Sequence, residues 1–255
     1  MNKVIVEKHD GYAVVSLNRP DSMNALSREL RDDFVAALED CQADEAIRVL
    51  IITGKGKAFS AGFDLKELAA PESGTAAETA DNIIARAMEA FEGPIIGAIN
   101  GHAITGGFEL ALACDVIIAS EQARFADTHA RVGILAGWGL SQRLPRLIGL
   151  SRAKELSLTG RPLFAQEAYE WGLVNRVVTA DELLPSAIAM AEEMCACVPH
   201  IMREYKKLID DGFSMPLNDA MVYEEKIAIE SAKNAAAHLV ASRREAVIEK
   251  GRSEK

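Results

Sequence analysis

Apolar and polar residues alternate through residues 4–17, on both sides of the turn formed by residues 9–11. A period of two is typical of strands with one buried face, so this segment is predicted to form two paired strands at a sheet edge. From Ser27 to about Gln42, apolar residues instead recur every three or four positions. That spacing predicts a helix, and Ser27 is suited to cap its first turn.

Three short runs rich in β-branched residues follow, at positions 49–54, 94–101 and 115–120. Continuous apolar runs of this length are typical of strands buried on both faces of a sheet. Each run is bordered by a segment with helical spacing, and beyond Asp181 the pattern is helical throughout. The pattern therefore predicts an α/β fold followed by a helical C-terminal region.

Composition and charge narrow the possible functions. A chain of 255 residues that is 49% apolar can bury one substantial core. Its formal net charge of −10 disfavours nonspecific binding to nucleic acid or to a membrane surface. No apolar run approaches the roughly 20 residues that cross a bilayer, and residues 1–10 lack the pattern of a secretory signal. We therefore expect a cytosolic protein with no nucleic-acid or membrane partner.

The cysteines and histidines give no indication of a metal site. The four cysteines stand at 41, 114, 195 and 197, and the five histidines are scattered along the chain. None of these residues has the spacing of a zinc-ligand motif. The sequence predicts that no metal is bound.

Two glycine-containing segments could carry chemistry. Residues 54–68 follow a predicted strand, and in residues 99–115 Gly106 and Gly107 directly precede a predicted helix. The first N–H groups of a helix lack intrahelical acceptors and can meet an anion or a developing oxyanion. Glu109 lies in the apolar sequence FELALAC, where an ionised carboxylate is costly unless it is paired or used. The alternative is a first-turn glutamate that the helix dipole favours.

The sequences AFSAGFDLKEL and PIIGAINGHAITGGFELALACDVIIAS, at 58–68 and 94–120, resemble the paired signatures of the crotonase (enoyl-CoA hydratase/isomerase) superfamily. The resemblance extends over about residues 12–180. It implies a crotonase spiral of ββα units at residues 1–195, with a C-terminal helical region at 196–255 that mediates oligomerisation. A homotrimer or homohexamer is therefore expected.

The resemblance also implies site residues. Phe63 and Gly106 match the positions whose backbone N–H groups form the oxyanion hole for the thioester oxygen. Ala25 and Ala61 match positions along the path of the adenine and pantetheine, and Lys66 matches a cation near the phosphates of coenzyme A. For Lys66 the alternative is a solvated surface lysine.

The catalytic pair departs from the family pattern. Hydratases of the family place two glutamates at the α,β bond of the thioester; Glu109 matches the first, and His129 occupies the position of the second. An imidazole has an unperturbed pKa near 6.5 and can accept or donate a proton, so a Glu109 and His129 pair could still act as acid and base. The alternative is that His129 only hydrogen-bonds Asp127 or Thr128 in a structural turn.

Two further residues are given structural roles. Asp64 is placed to cap the helix that follows it, since aspartate readily accepts from free N–H groups. Trp138 follows a glycine turn, and core packing is its expected role.

The resemblance predicts an enoyl-CoA hydratase-type lyase that acts on acyl-CoA thioesters through a stabilised enolate. Because the second glutamate is absent, two alternatives stay open. One is an acyl-CoA binding protein without efficient hydratase activity, and the other is an enoyl-CoA isomerase or another reaction that needs a single acid/base group. No cofactor is expected, because coenzyme A is part of the substrate.

Overall fold

The computed structural model describes residues 2–68 and 82–234, together with positions 243, 244, 248 and 252. The chain divides into two compact units, Met1–Arg203 and Glu204–Lys255. Strands and helices alternate through the first unit, and the second is helical where it is described, so the predicted α/β class is confirmed.

The strands are short and follow one another in pairs. They are β1 (Val4–Lys8), β2 (Gly11–Leu17), β3 (Ile47–Gly54), β4 (Ala58–Ser60), β5 (Ile95–Ile99), β6 (His102–Ile104), β7 (Val116–Ser120), β8 (Arg124–Ala126), β9 (Leu163–Phe164) and β10 (Arg176–Val178).

Helices follow each of the pairs β1–β2, β3–β4, β5–β6 and β7–β8, one helix separates β9 from β10, and the rest follow the last strand. They are α1 (Arg28–Ala43), α2 (Leu65–Leu68), α3 (Ile83–Ala90), α4 (Gly106–Leu112), α5 (His129–Val132), α6 (Leu140–Ile148), α7 (Leu150–Thr159), α8 (Ala165–Glu170), α9 (Leu183–Cys195), α10 (Pro199–Phe213) and α11 (Leu217–Asn234).

Successive ββα units build two sheets. The larger sheet has the order β1-β2-β3-β5-β7-β10, and the smaller has the order β4-β6-β8-β9. In each of the pairs β3–β4, β5–β6 and β7–β8, the first strand joins the larger sheet and the second joins the smaller one. The helices α2, α4 and α5 follow these pairs. The predicted spiral of ββα units is thus confirmed.

The edge hairpin and the first helix form as the sequence predicts. β1 and β2 pair antiparallel from Val4 with Leu17 to Lys8 with Ala13, and β1 is the edge strand. Ser27 caps α1, since its hydroxyl accepts a hydrogen bond of 3.3 Å from the Leu30 N–H. This bond satisfies one of the free N–H groups in the first turn.

The larger sheet is buried on both faces. Along β3, Leu50 and Ile52 point into the main core, whereas Val49 and Ile51 point into a second core that includes α9 residues. All four side chains are fully buried. Alternate residues of a strand face opposite sides, so a continuous apolar run is what a sheet covered on both sides requires.

No helix among the described residues is both long and apolar enough to cross a membrane.

Candidate active site

Three neighbouring parallel strands of the smaller sheet end at one edge. β4 pairs with β6, and β6 pairs with β8, in register from His102 with Arg124 to Ile104 with Ala126. The segments that leave their carboxyl ends begin at Ala61, Thr105 and Asp127. In sheets of this kind, ligands bind outside the carboxyl ends of the strands. The residues singled out in the sequence therefore meet here although they are far apart in the chain.

The segment after β4 places Phe63. The Leu26 N–H donates to the Gly62 carbonyl oxygen at 2.8 Å, and Leu26 and Phe63 form a parallel bridge. A parallel bridge of this kind uses the groups on either side of Phe63, so the Phe63 N–H takes no part in it. The bridge therefore does not use that N–H group.

The segment after β6 places Gly106 beside Phe63. Thr105 has a φ of +54°, which is unusual for a residue with a side chain, and Gly106 begins α4 directly after it. A Cβ atom added to Gly106 would lie 3.6 Å from the Phe63 nitrogen and 3.5 Å from the Gly62 Cα. The N–H groups of Phe63 and Gly106 are therefore neighbours, and the one on Gly106 lies in the helix turn that lacks intrahelical acceptors.

Glu109 lies one turn further along α4 and is 1% exposed. Its Oε1 accepts hydrogen bonds from the Trp138 N–H at 2.7 Å and the Leu140 N–H at 3.4 Å. Both donors belong to a segment about 30 residues later, at the start of α6. The carboxylate is thus held by another element, which the alternative of a simple first-turn glutamate does not require. Its second oxygen, Oε2, faces His129.

His129 lies between two carboxylates and is 5% exposed. Its Nδ1 is 2.7 Å from Asp127 Oδ1, and its Nε2 is 3.4 Å from Glu109 Oε2. Burial would lower the pKa of His129, but the hydrogen bonds and charges of Asp127 and Glu109 outweigh it and raise the pKa to about 9. The imidazole is therefore protonated at neutral pH, with one N–H directed at each carboxylate.

His129 makes the contacts that both interpretations require, namely the contact with Glu109 of an acid/base pair and the hydrogen bond to Asp127 of a structural turn. The predicted hydrogen bond to Asp127 is present, and the Asp127 carboxylate also accepts from the His129 backbone N–H at 3.1 Å. This local turn does not remove His129 from the site, because it aims Nε2 at Glu109. The structure thus brings Glu109 and His129 together.

The remaining predicted site residues lie around the Phe63 segment. Ala25 is buried and Ala61 is half-buried, and the Ala61 N–H donates to the Met23 carbonyl oxygen at 2.9 Å. Lys66 is exposed on α2. Asp64 accepts from the Lys66 N–H at 3.2 Å, which confirms its predicted capping role.

Asp64 also pairs with Arg19 at 3.0 Å. Hydrogen bonds from Arg19 and from backbone N–H groups outweigh the effect of burial and lower the pKa of Asp64. Since Arg19 also donates to the Ala25 carbonyl oxygen at 2.6 Å, it ties the segment before α2 to the segment before α1.

Trp138 does more than its predicted core packing. Its side chain is buried as expected, and its ring lies 4.8 Å from the Phe63 ring between centroids. Its backbone N–H binds Glu109, a role that the sequence interpretation missed. The neighbouring Gly139 was the available signal, because its φ of +102° is one that glycine permits, and the turn that exposes this N–H group needs it.

Among the described residues, no three histidine, cysteine, aspartate or glutamate side chains are arranged to hold a metal ion. The chemistry that the described site offers consists of two backbone donors, a buried carboxylate and a protonated imidazole. This set can stabilise an oxyanion and move protons at a neighbouring carbon.

Comparisons with known proteins identify the family of this chain. The family model described as enoyl-CoA hydratase/isomerase matches residues 7–251. An Arabidopsis thaliana protein named probable enoyl-CoA hydratase 1, peroxisomal, is 42% identical over 228 residues, which cover 89% of this chain and 86% of that protein. The short-chain-enoyl-CoA hydratase of Clostridium acetobutylicum is 35% identical over 89% of this chain and 88% of its own length. The crystal structure of enoyl-CoA hydratase from Bacillus anthracis has a TM-score of 0.89 at 38% identity, covering 97% of this chain and 96% of that one.

Proposed function

The chain belongs to the enoyl-CoA hydratase/isomerase family, and on this premise we propose that it is an enoyl-CoA hydratase that adds water to the double bond of an acyl-CoA thioester. The observation that carries the proposal is the facing pair of Glu109 Oε2 and His129 Nε2, 3.4 Å apart, at the edge where the Phe63 and Gly106 N–H groups also lie. An acid, a base and two oxyanion donors are what hydration of an enoyl thioester needs.

The Phe63 and Gly106 N–H groups bind the thioester oxygen. Negative charge builds on this oxygen when the thioester becomes an enolate, and fixed donors in a dry site stabilise that charge without reorganising. Their fixed position follows from the bridge of Leu26 to Phe63 and from the start of α4 at Gly106. Removing one such donor typically costs about 10²- to 10³-fold in rate.

Glu109 and His129 carry the protons. Glu109 Oε2 accepts a proton from water while the water oxygen bonds to the β carbon, and the double-bond electrons pass to the thioester oxygen. The enolate then takes a proton at the α carbon from His129 Nε2, which gives the 3-hydroxyacyl thioester. The proton on Glu109 returns to His129 across the same 3.4 Å contact, which restores the starting state.

Coenzyme A is bound beside this edge. Ala25 and Ala61 line the path of the adenine and pantetheine, and Lys66 faces the phosphates. The small size of the two alanines, and the exposure of Lys66 on α2 three residues after Phe63, support these roles. In a chain with a net charge of −10, an anionic ligand needs such a local cation.

Crotonyl-CoA is the substrate with which to test the proposal. We expect the wild-type protein to remove the absorbance of the conjugated enone, Glu109→Gln to abolish this loss, and His129→Ala to slow it by about 10²- to 10⁴-fold. Calorimetric titration should show that both variants still bind the thioester. Glu155→Gln is the matched control, because Glu155 pairs with Arg161 on the surface and should leave the rate unchanged.

Other results would support the alternatives. Tight binding of crotonyl-CoA without turnover would favour an acyl-CoA binding protein. Conversion to a product other than the 3-hydroxyacyl thioester, identified by mass spectrometry, would favour an isomerase or another reaction with a single acid/base group. A wild-type protein that binds no acyl-CoA would refute the proposal.

We further propose that no cofactor takes part beyond the coenzyme A of the substrate. We propose that the protein acts in lipid metabolism in the cytosol. Residues 196–255, in this proposal, mediate assembly into a homotrimer or homohexamer. Exposed apolar side chains on α10 and α11, among them Phe213, Leu217 and Val222, support the assembly. Light scattering on the whole chain measures the assembly, and cell fractionation measures the location.

A further inference from the structure

We propose that Asp127 is a positioning residue that holds His129 in its charged form with Nε2 directed at Glu109 Oε2, so that an Asp127–His129 pair takes the place of a second catalytic carboxyl group. This inference rests on the proposed hydratase function. It assigns to Asp127 a role that neither the sequence signatures nor the proposed reaction requires.

The contacts of Asp127 are those of a fixed orienting group. Its side chain is 3% exposed, and Oδ1 lies 2.7 Å from His129 Nδ1 and 3.1 Å from the His129 backbone nitrogen. Ser157 of α7 provides a further side-chain hydrogen bond to this carboxylate. Because the carboxylate is held from two elements, it fixes the ring plane of His129 as well as its position.

This orientation determines which proton is available. With Nδ1–H bound to Asp127, the second N–H of the imidazolium lies on Nε2, 3.4 Å from Glu109 Oε2 and at the edge where the Phe63 and Gly106 donors lie. Without Asp127, the ring could rotate about its χ2 angle, and a neutral imidazole could place its single proton on either nitrogen. The charged, oriented form is therefore a property of the pair.

The groups that face His129 can be named. Asp127 approaches from the segment after β8, and Glu109 approaches from α4. Ser157 reaches Asp127 from α7, while Arg131 of the same helix as His129 turns away and donates to the Thr159 carbonyl oxygen at 2.7 Å. Among the described residues, the charges that act on His129 are thus the two carboxylates, and both favour the protonated ring.

The first test needs no turnover. Long-range nitrogen–proton NMR of the whole chain follows the protonation of the His129 ring with pH. We expect the ring to stay protonated well above pH 7 and to lose its proton at a pH at least about one unit lower in Asp127→Asn. A wild-type His129 that titrates near pH 6.5 would overturn the inference.

The second test measures the pH profile of crotonyl-CoA hydration. In Asp127→Asn we expect kcat at pH 8 to fall about 10- to 100-fold, the KM to stay within about twofold, and the basic limb of the profile to move toward neutral pH. Asp40→Asn is the charge-matched control, because Asp40 is exposed and pairs with Lys8 outside the site. It should leave the profile unchanged.

A double-variant cycle separates positioning from stability. If Asp127 acts through His129, Asp127→Asn should cause no further loss of kcat in a His129→Gln background. Losses that multiply, or an unchanged pH profile in Asp127→Asn, would overturn the inference while the hydratase function stood. A wild-type protein with no hydratase activity would instead overturn the proposed function, and with it the role of His129 as proton donor.

Discussion

His129 is a charged residue in the core, and each nitrogen of its ring faces a carboxylate. The resemblance to the family predicts a second glutamate at this position, so a basic side chain stands where an acidic one is expected. Asp127 and Glu109 both favour the protonated form of the ring that lies between them. The imidazole, 3.4 Å from the Glu109 carboxylate, lowers the free-energy cost of burying that side chain, which is 1% exposed.

The free energy of unfolding should depend on the charge of His129. Its pKa is raised from 6.5 to about 9 in the folded chain, so its contribution is fully present below pH 6.5 and is lost as the pH rises through 9. We expect the wild-type protein to lose up to about 3 kcal/mol relative to His129→Gln between these values. Urea unfolding at a series of pH values measures this difference. The exposed His200 offers the control His200→Gln, and an equal loss there would contradict the assignment.

Gly106 and Gly107 should differ in what they tolerate. A Cβ at Gly106 meets protein atoms at ordinary contact distance, whereas a Cβ at Gly107 would overlap the Ser60 carbonyl oxygen. We expect Gly106→Ala to stay folded and to lose hydratase activity by about 10²-fold or more, because its methyl group enters the space beside the Phe63 nitrogen. Gly107→Ala should instead lose about 1–3 kcal/mol of stability. Thermal unfolding and turnover, measured in parallel, distinguish the two.

At the scale of single residues, most of the site residues could be identified from the sequence. Phe63, Gly106, Glu109 and His129 were found because their spacing matches family signatures, and the structure brings them to one edge. The Trp138 contact could not be found in this way, since a backbone N–H group is common to nearly every residue. The direction of the Trp138 N–H group depends on the backbone conformation of the turn, which cannot be predicted from the pattern of side chains.

At the scale of elements, the turn between α5 and α6 holds the catalytic carboxylate. Gly139 lies in this turn with a φ of +102°, directly between the two residues whose N–H groups bind Glu109. A residue with a side chain at such a φ is strained by roughly 1–2 kcal/mol. Relief of that strain would move the donors at Trp138 and Leu140.

We therefore expect Gly139→Ala to lower both stability, by about 1 kcal/mol, and hydratase activity. The matched control is Gly137→Ala, because Gly137 has an ordinary φ and an added Cβ would meet no described atom within 4 Å. Urea unfolding and crotonyl-CoA turnover measure the pair. Equal effects of the two substitutions would show that backbone conformation at Gly139 does not position Glu109.

The larger elements were predictable and the smaller ones were not. The run at 49–54 lies within β3, the runs at 94–101 and 115–120 contain β5 and β7, and Ser27 correctly marked the start of α1. The strands of the smaller sheet have only two or three residues each, which is too short for a period to show. These strands position the site, so its assembly came from the family resemblance and not from periodicity.

At the scale of the molecule, the four cysteines differ in solvent exposure, and their thiol pKa values differ accordingly. Cys41 is fully buried, and burial raises its pKa to about 11. Burial also raises the pKa values of Cys114 and Cys195, whereas Cys197 is exposed. Only the thiolate reacts quickly with a disulfide reagent.

We expect one rapid thiol in the native protein at pH 8, assigned to Cys197 by its absence in Cys197→Ser. Cys195 should react slowly, and Cys41 and Cys114 should react only after unfolding. The release of a chromophoric thiol, followed with and without denaturant, counts the groups. Rapid reaction of Cys41 in the native state would contradict the packing of α1 against the sheet.

The three parallel strand ends of the smaller sheet divide the work of the site among consecutive repeats of the chain. The first repeat contributes a main-chain donor, the second a donor and a carboxylate, and the third the imidazole with its aspartate. Substitutions in the third repeat can therefore change the imidazole and its aspartate without disturbing the groups from the first two repeats. A homologue with a different side chain after β8 would still bind the same thioester but would transfer protons to and from it differently. The fold thus keeps the thioester-binding groups constant while the side chain that transfers protons can change.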